Sequence, residues 1–248
     1  MSKVILVTGG SRGIGRSTAI LAGARGWSVG VNYAGNAKAA EETVAAVTKA
    51  GGKAIAIKGD VSVERDVIAM FDATSKAFGY IDGLVNNAGI ITPVSKLADM
   101  TVERMRRLFD VNILGSYMVA REAARRMSRS RGGKGGAIVN MSSAAARLGS
   151  PNDFVDYAGS KGCMDTFTIG LSKELGPEGI RVNAIRPGLI ETEIHASAGL
   201  PDRAQTLGKQ MPLGRAGTAD EVGEAAIWLL DDASSYVAGA ILDVAGGR

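Results

Sequence analysis

Short apolar, β-rich runs alternate with stretches of helical periodicity along the whole chain, and this alternation restricts the fold more than any other feature of the sequence. The strand-like runs fall at residues 4–8, 28–33, 54–58, 83–86, 137–141, 181–186 and 240–244. Helical patterns cover residues 14–25, 37–50, 64–78, 102–127, 157–175 and 219–230 between them. Most of the strand runs are apolar without interruption. Both faces of such strands are to be buried, which is the habit of a parallel sheet covered by helices on each side.

Parallel neighbours need crossovers, and right-handed crossovers wind a chain of this pattern into a three-layer, Rossmann-type, doubly wound α/β sheet. With 248 residues and no compositional break between its halves, the chain reads as a single domain spanning residues 1–248. Residues 188–214 lack a strong pattern, and Gly199 and Pro201 limit regular structure there. A loop of that length inside a compact domain is usually functional, so it is expected to form a lid over the substrate.

Several kinds of chemistry are excluded. Cys163 is the only cysteine and His195 the only histidine. The chain therefore has no internal disulfide, no His/Cys zinc site and no convincing Ser-His or Cys-His pair. His195 falls in the expected lid, where it is either a substrate contact or a solvated loop residue. The apolar start at residues 3–8 is too short for a signal segment, and no run approaches the ~20 residues of a membrane span. The expectation is a cytoplasmic protein without a membrane partner. Net charge is +4, partly because Arg121, Arg125, Arg126, Arg129, Arg131 and Lys134 cluster. That cluster is either a patch for nucleic acid or an acidic carrier, or the solvated end of one helix, where cations suit the C-terminal dipole. The second reading is favoured, and no nucleic-acid motif accompanies the charge, so no nucleic-acid partner is expected.

The chemistry that remains gathers in two places. Thr8-Gly9-Gly10-Ser11-Arg12-Gly13-Ile14-Gly15 follows the first strand and opens the first helix. Glycines there let backbone N–H groups approach a pyrophosphate at a helix N-terminus. A dinucleotide site for NAD wants an acidic residue at the end of the second strand. That strand ends Asn32-Tyr33, and the first acidic residue beyond it is Glu41. Arg12 is placed to pair with a 2′-phosphate, with Asn32 and Tyr33 lining the same pocket; the alternative for Arg12 is a surface cation. NADP(H) is therefore expected as the preferred cofactor, with NAD(H) possible. Tyr157 and Lys161 stand four apart in a helical stretch, one above the other on one face. An ammonium beside a phenol favours the phenolate, which makes Tyr157 a candidate acid or base tuned toward neutrality.

The glycine run from Thr8 to Gly15, Asn86-Asn87-Ala88-Gly89, Ser143, Tyr157-x-x-x-Lys161 and Pro187-Gly188 occur in one order, and with them the whole chain resembles the short-chain dehydrogenase/reductase family. More narrowly it is similar to the group holding 3-oxoacyl-acyl-carrier-protein reductases and glucose 1-dehydrogenase-like enzymes. The resemblance implies that Asn112 holds a water of a proton relay and Ser143 polarises the substrate carbonyl. It further implies that Tyr157 transfers the proton, and that Lys161 holds the nicotinamide ribose and lowers the tyrosine pKa. On the cofactor side it implies Gly9, Ser11, Arg12, Gly13, Ile14 and Gly15 in the loop, and Asp60 on the adenine amino group with Val61 against the ring. Asn86, Asn87, Ala88 and Gly89 then border the ribose and steady the sheet. Pro187, Gly188, Ile190 and Thr192 flank the nicotinamide, Thr192 on its carboxamide.

Ser143 precedes Tyr157 by fourteen residues where many relatives have thirteen, which leaves Ser142 as the alternative hydroxyl. The implied protein is a homotetramer, assembled through residues 102–127, 157–175 and the C-terminal segment. Its implied substrate is a small carbonyl compound or alcohol, either a 3-oxoacyl thioester or a sugar or polyol. A cofactor-binding redox sensor without turnover is the alternative of another class; a degraded catalytic set would mark it, and here all four residues are present.

Overall fold

The computed structural model describes residues 2–248. In chain order the elements are β1 (Val4–Val7), α1 (Gly13–Ala24), β2 (Ser28–Tyr33), α2 (Ala37–Lys49), β3 (Lys53–Lys58), α3 (Glu64–Phe78), β4 (Gly83–Asn86), α4 (Val102–Phe109), α5 (Ser116–Met127) and β5 (Gly136–Met141). They continue with α6 (Ala145–Leu148), α7 (Val155–Leu175), β6 (Ile180–Pro187), α8 (Ile194–Ser197), α9 (Arg203–Gly208), α10 (Ala219–Leu230) and β7 (Ile241–Val244). The seven strands form one sheet in the order β3-β2-β1-β4-β5-β6-β7, and every neighbouring pair is parallel. The order reverses between β1 and β4. In open α/β sheets that switch point, at the C-terminal strand ends, is where a crevice for ligands opens.

The pleat sorts the core into two layers. Ile5, Val7, Val29 and Val31 pack on one face against Ala19 and Ala22 of α1 and Val222 and Ala226 of α10. Leu6, Leu84, Ile138 and Val182 pack on the other against Met70 and Phe71 of α3, Val119 of α5 and Leu175 of α7. Helix starts follow from local chemistry. Asn36 accepts from the N–H of Ala39 at the start of α2, Thr101 from that of Arg104 at α4, and Thr218 forms a capping box with Glu221 at α10.

The helix expected at residues 102–127 is interrupted. Between α4 and α5 the backbone widens into a π-helical turn, Asp110–Gly115. Two contacts account for the turn. The side chain of Asn112 is pinned to the backbone of Ile90, and Gly115 lies so close to Val61 that an added Cβ would stand 2.9 Å from its Cγ2. The stretch at residues 188–214 holds two short helices, α8 and α9, where the sequence offers no strong pattern. Half of the basic cluster is paired with carboxylates within the fold. Arg121 pairs with Glu64, Arg125 with Glu122, and Arg126 with both Asp72 and Glu122, while Lys134 lies over the ring of Tyr80. Among the described residues no helix is long and apolar enough to cross a membrane.

Candidate active site

The glycine loop between β1 and α1 is held from behind by side-chain amides and one hydroxyl. Asn32 accepts from the N–H of Gly9 (3.1 Å) and donates to the carbonyls of Gly59 (2.9 Å) and Ile57 (3.3 Å). Asn87 donates to the carbonyls of Thr8 (2.9 Å) and Gly9 (3.2 Å). The Thr8 hydroxyl accepts from the N–H groups of Asn87 and Ala88. Two glycines are required for this shape. A Cβ on Gly15 would lie 2.4 Å from the Gly9 carbonyl oxygen, and Gly13 has φ of 52° where it faces Thr192.

This loop fits a dinucleotide phosphate. Helix α1 starts at Arg12 with no side-chain cap and no acidic residue in its first turn, so its N-terminal N–H groups remain available to an anion. Arg12 is exposed, and among the described residues its guanidinium has no ion-pair or hydrogen-bond partner. Ser11 and Ile14 are half-buried beside it, and Tyr33 is half-buried at the end of β2. Asn32 is a correction to the sequence reading. It is only 2% exposed and its amide is fully engaged with backbone, so it shapes the loop and does not line a phosphate pocket.

Asp60 follows β3. Burial raises its pKa, but hydrogen bonds from Ser62 and the guanidinium of Arg107 outweigh that and hold it below the usual carboxylate range. Val61 is buried against Gly115. Asn86 turns inward and donates to the Ser116 carbonyl and to Asn140 (both 3.0 Å), so it steadies the sheet and does not border a ribose.

One cleft joins the ends of β4, β5 and β6 to α7, with about 980 Å³ of empty space including the solvent at its mouth. Ser143, Tyr157, Lys161, Gly188, Ile190 and Thr192 all line it. Lys161 is buried, donates to the Met141 carbonyl (2.7 Å) and sits 5.6 Å from the centroid of the Tyr157 ring. Sequence reasoning expects Lys161 to pull the Tyr157 phenol down. In the structure burial dominates and pushes the phenol above its ordinary value, the hydrogen bond with Ser143 offsetting only part. Burial also brings Lys161 down to about 8, against the attraction of Asp165.

The two serines, both at the cleft, differ in what they touch. Ser142 is 2% exposed, and its hydroxyl lies 2.6 Å from Asp165 Oδ1 and 3.1 Å from the Lys161 carbonyl. Ser143 faces the cleft, accepts from the N–H of Ala145 and bonds the Tyr157 phenol. Asn112 is brought to the rear of the same centre. Its amide accepts from Ile90 N–H (2.8 Å) and donates to the Ile90 carbonyl (2.9 Å) and to Ser160 (3.2 Å). Gly89 lies between it and Lys161, and Pro187 accepts from the N–H of Ala144 across the strand ends. The side chain of His195 lies outside the described residues.

Sequence reasoning missed the supports of this centre. Asp156, directly before Tyr157, bonds Arg104 of α4 (3.0 Å), and its place at a helix start beside Tyr157 was the available signal. Arg203 of α9 reaches Asp153 (3.0 Å) and lies over the ring of Phe154, tying the 188–214 segment to the loop before α7. That loop turns through two non-glycine residues with positive φ, Ser150 (46°) and Asn152 (65°). Asn152→Val is therefore expected to lower stability by about 1–2 kcal/mol in urea denaturation, because a β-branched side chain resists the left-handed conformation. Asn152→Gly is expected to leave it unchanged or raise it slightly.

Known proteins agree with this geometry. A family model described as enoyl-(acyl carrier protein) reductase matches residues 9–248. An uncharacterized oxidoreductase of Escherichia coli, YgfF, is 49% identical over 245 residues, covering 99% of each chain. Glucose 1-dehydrogenase 2 of Bacillus subtilis is 36% identical over 245 residues, 99% of this chain and 94% of its own. A crystal structure of a short-chain type dehydrogenase/reductase from Mycobacterium marinum superposes with a TM-score of 0.92 at 34% identity, covering 99% of this chain and 94% of that one. With this family model, these relatives and this superposition of the sheet, the chain belongs to the short-chain dehydrogenase/reductase family of oxidoreductases.

Proposed function

We propose that the protein is an NADP(H)-preferring oxidoreductase that interconverts a ketone and a secondary alcohol, with Tyr157 as general acid and base. The observation that carries this is the convergence of Ser143, Tyr157 and Lys161 in a cleft that runs on to the glycine loop. A bound nicotinamide supplies or accepts the hydride. Gly9, Ser11, Gly13, Ile14 and Gly15 offer the helix N-terminus to its phosphates, with Asp60, Val61, Asn87, Ala88 and Gly89 on the adenosine side. Pro187, Gly188, Ile190 and Thr192 flank the ring. Ser143 stabilises charge on the substrate oxygen. Tyr157 gives that oxygen its proton in reduction and removes it in oxidation. Lys161 in its charged form stabilises the phenolate left behind, and Asn112 fixes the backbone at Ile90 behind the pair.

On the substrate side the lining includes Ile91, Leu148, Phe154, Leu189 and Ile194. These favour a ketone carried on an apolar body over a sugar or polyol. Residues 188–214 act as the lid of a single 1–248 domain, with Arg203 as its tie. A homotetramer is supported by apolar side chains left exposed on the helices expected to assemble it, among them Phe109, Leu114, Tyr117, Val155 and Ile169. A cytoplasmic site of action is consistent with a lone free cysteine.

The test is nicotinamide absorbance followed with NADPH and NADH in parallel over acyl thioester ketones, diketones, steroid-like ketones, sugars and polyols. Turnover with NADPH on an apolar ketone is expected. Tight NADPH binding with no turnover anywhere in the panel would favour the redox-sensor alternative. Faster turnover with NADH would overturn the cofactor assignment. Arg12→Ala is expected to weaken NADPH binding by about tenfold or more, the loss of a charge-assisted contact, and to change NADH binding by less than threefold in titration calorimetry.

A further inference from the structure

Behind the cleft lies a buried carboxylate that the proposed chemistry leaves unused. Asp165 is 7% exposed and stands four residues after Lys161, on the same face of α7. Its Oδ1 accepts from the Ser142 hydroxyl (2.6 Å). Its Oδ2 accepts from Nε (3.0 Å) and Nη2 (2.8 Å) of Arg186. Ser142 sits between Met141, whose carbonyl receives the Lys161 ammonium, and Ser143. Arg186 directly precedes Pro187 and Gly188, which border the cleft. One carboxylate thus joins the C-terminal ends of β5 and β6 to α7, the three elements that must hold Ser143, Tyr157 and Lys161 in register.

We propose that Asp165 is a positioning residue of the reacting centre, whose carboxylate locks these strand ends onto α7 and sets a fixed negative charge behind Lys161. This rests on the reading of Tyr157 and Lys161 as the proton-transfer pair. The groups around Lys161 are few. On α7 they are Tyr157 and Asp165, from β5 comes the Met141 carbonyl, and from the turn after β4 Gly89 presents only backbone. Arg186 of β6 faces Asp165, and Asp243 of β7 reaches Arg186 at 3.9 Å. Among the described residues Asp165 is the anion whose attraction acts on Lys161, and it opposes the burial that lowers the lysine to about 8. Without it the ammonium loses its proton at lower pH, and the phenolate of Tyr157 loses its stabilising charge.

The experiment follows the ¹³Cε resonance of Lys161 against pH in lysine-labelled protein, assigned by its loss in Lys161→Arg, alongside the pH profile of turnover. In Asp165→Asn the midpoint is expected to fall by about one pH unit. The alkaline limb of kcat should fall with it while KM stays nearly unchanged. Asp165→Asn/Arg186→Met removes both charges, which guards against misfolding caused by a stranded guanidinium. A midpoint that stays low in this double variant assigns the effect to the carboxylate. A midpoint unmoved in Asp165→Asn, or restored in the double variant, overturns the proposal. So does a uniform fall in kcat with no displacement of the limb, the mark of a merely structural pair. The resonance titrates whether or not the wild type turns over any substrate, so failure of the oxidoreductase reading and failure of this one are separately visible.

Discussion

Tyr157→Phe is expected to lower kcat by about 10³-fold, or ~4 kcal/mol in activation free energy, while NADPH binding changes less than threefold. The substitution removes one hydroxyl and keeps the ring, so the packing of α7 beside the cleft survives. Ser143 remains to bond the substrate oxygen, and Lys161 keeps its hydrogen bond to the Met141 carbonyl. What disappears is the group able to exchange a proton with that oxygen, since among the described residues no acidic side chain lines the cleft to replace it. Ser143→Ala is expected to cost less, because it removes one donor and leaves the proton path intact. Stopped-flow measurement of a single turnover, with cofactor binding followed by fluorescence, separates the two effects. Retention of kcat within tenfold in Tyr157→Phe would end the assignment.

Arg104→Met should destabilise the protein by roughly 3–5 kcal/mol, the loss expected when one partner of a buried ion pair is removed. The side chain of Asp156 is 1% exposed and that of Arg104 15%. Asp156 accepts from Arg104 Nε (3.0 Å) and from the N–H of Tyr157 (2.9 Å), and Arg104 also donates to the Pro93 carbonyl (2.6 Å). Removing the guanidinium strands a carboxylate in the interior and frees the first turn of α7 from α4. Urea denaturation of the cofactor-free protein measures the loss. Arg104→Met/Asp156→Leu is expected to recover part of it, because no buried charge is left unpaired. A single-variant loss below 1 kcal/mol would show that water reaches Asp156 once Arg104 is gone.

The sheet was legible from the sequence because parallel strands buried on both faces read as uninterrupted apolar runs, and each of the seven runs became a strand within one or two residues. The glycine loop and the Tyr157–Lys161 pair were legible for a related reason. Gly13 and Gly15 answer steric demands that leave few alternatives, and a four-residue spacing on a helix fixes which side chains meet. Asn32 was not legible in its true place. Its position at the end of β2 suits a cofactor contact, and only the packing of the Gly9 and Gly59 backbones shows its amide already engaged. The π-turn escaped for the same reason, since Asn112 departs from helical spacing to satisfy Ile90, a partner 22 residues distant. Asp165 lay in plain view on the face of Lys161, but its weight depends on Ser142 and Arg186, which reach it from the ends of β5 and β6.

The two asparagine amides behind the glycine loop carry a consequence for how coenzyme choice can change over evolution. Because Asn32 and Asn87 fix the turn from the protein side, its shape does not depend on which dinucleotide arrives, and its conformational entropy is already lost at folding. On the function proposed above, binding then resembles rigid docking, with discrimination left to exposed Arg12 and half-buried Tyr33 at the rim. A lineage can therefore trade one coenzyme for the other by a few rim substitutions, with the fold and the turn beneath them inherited unchanged.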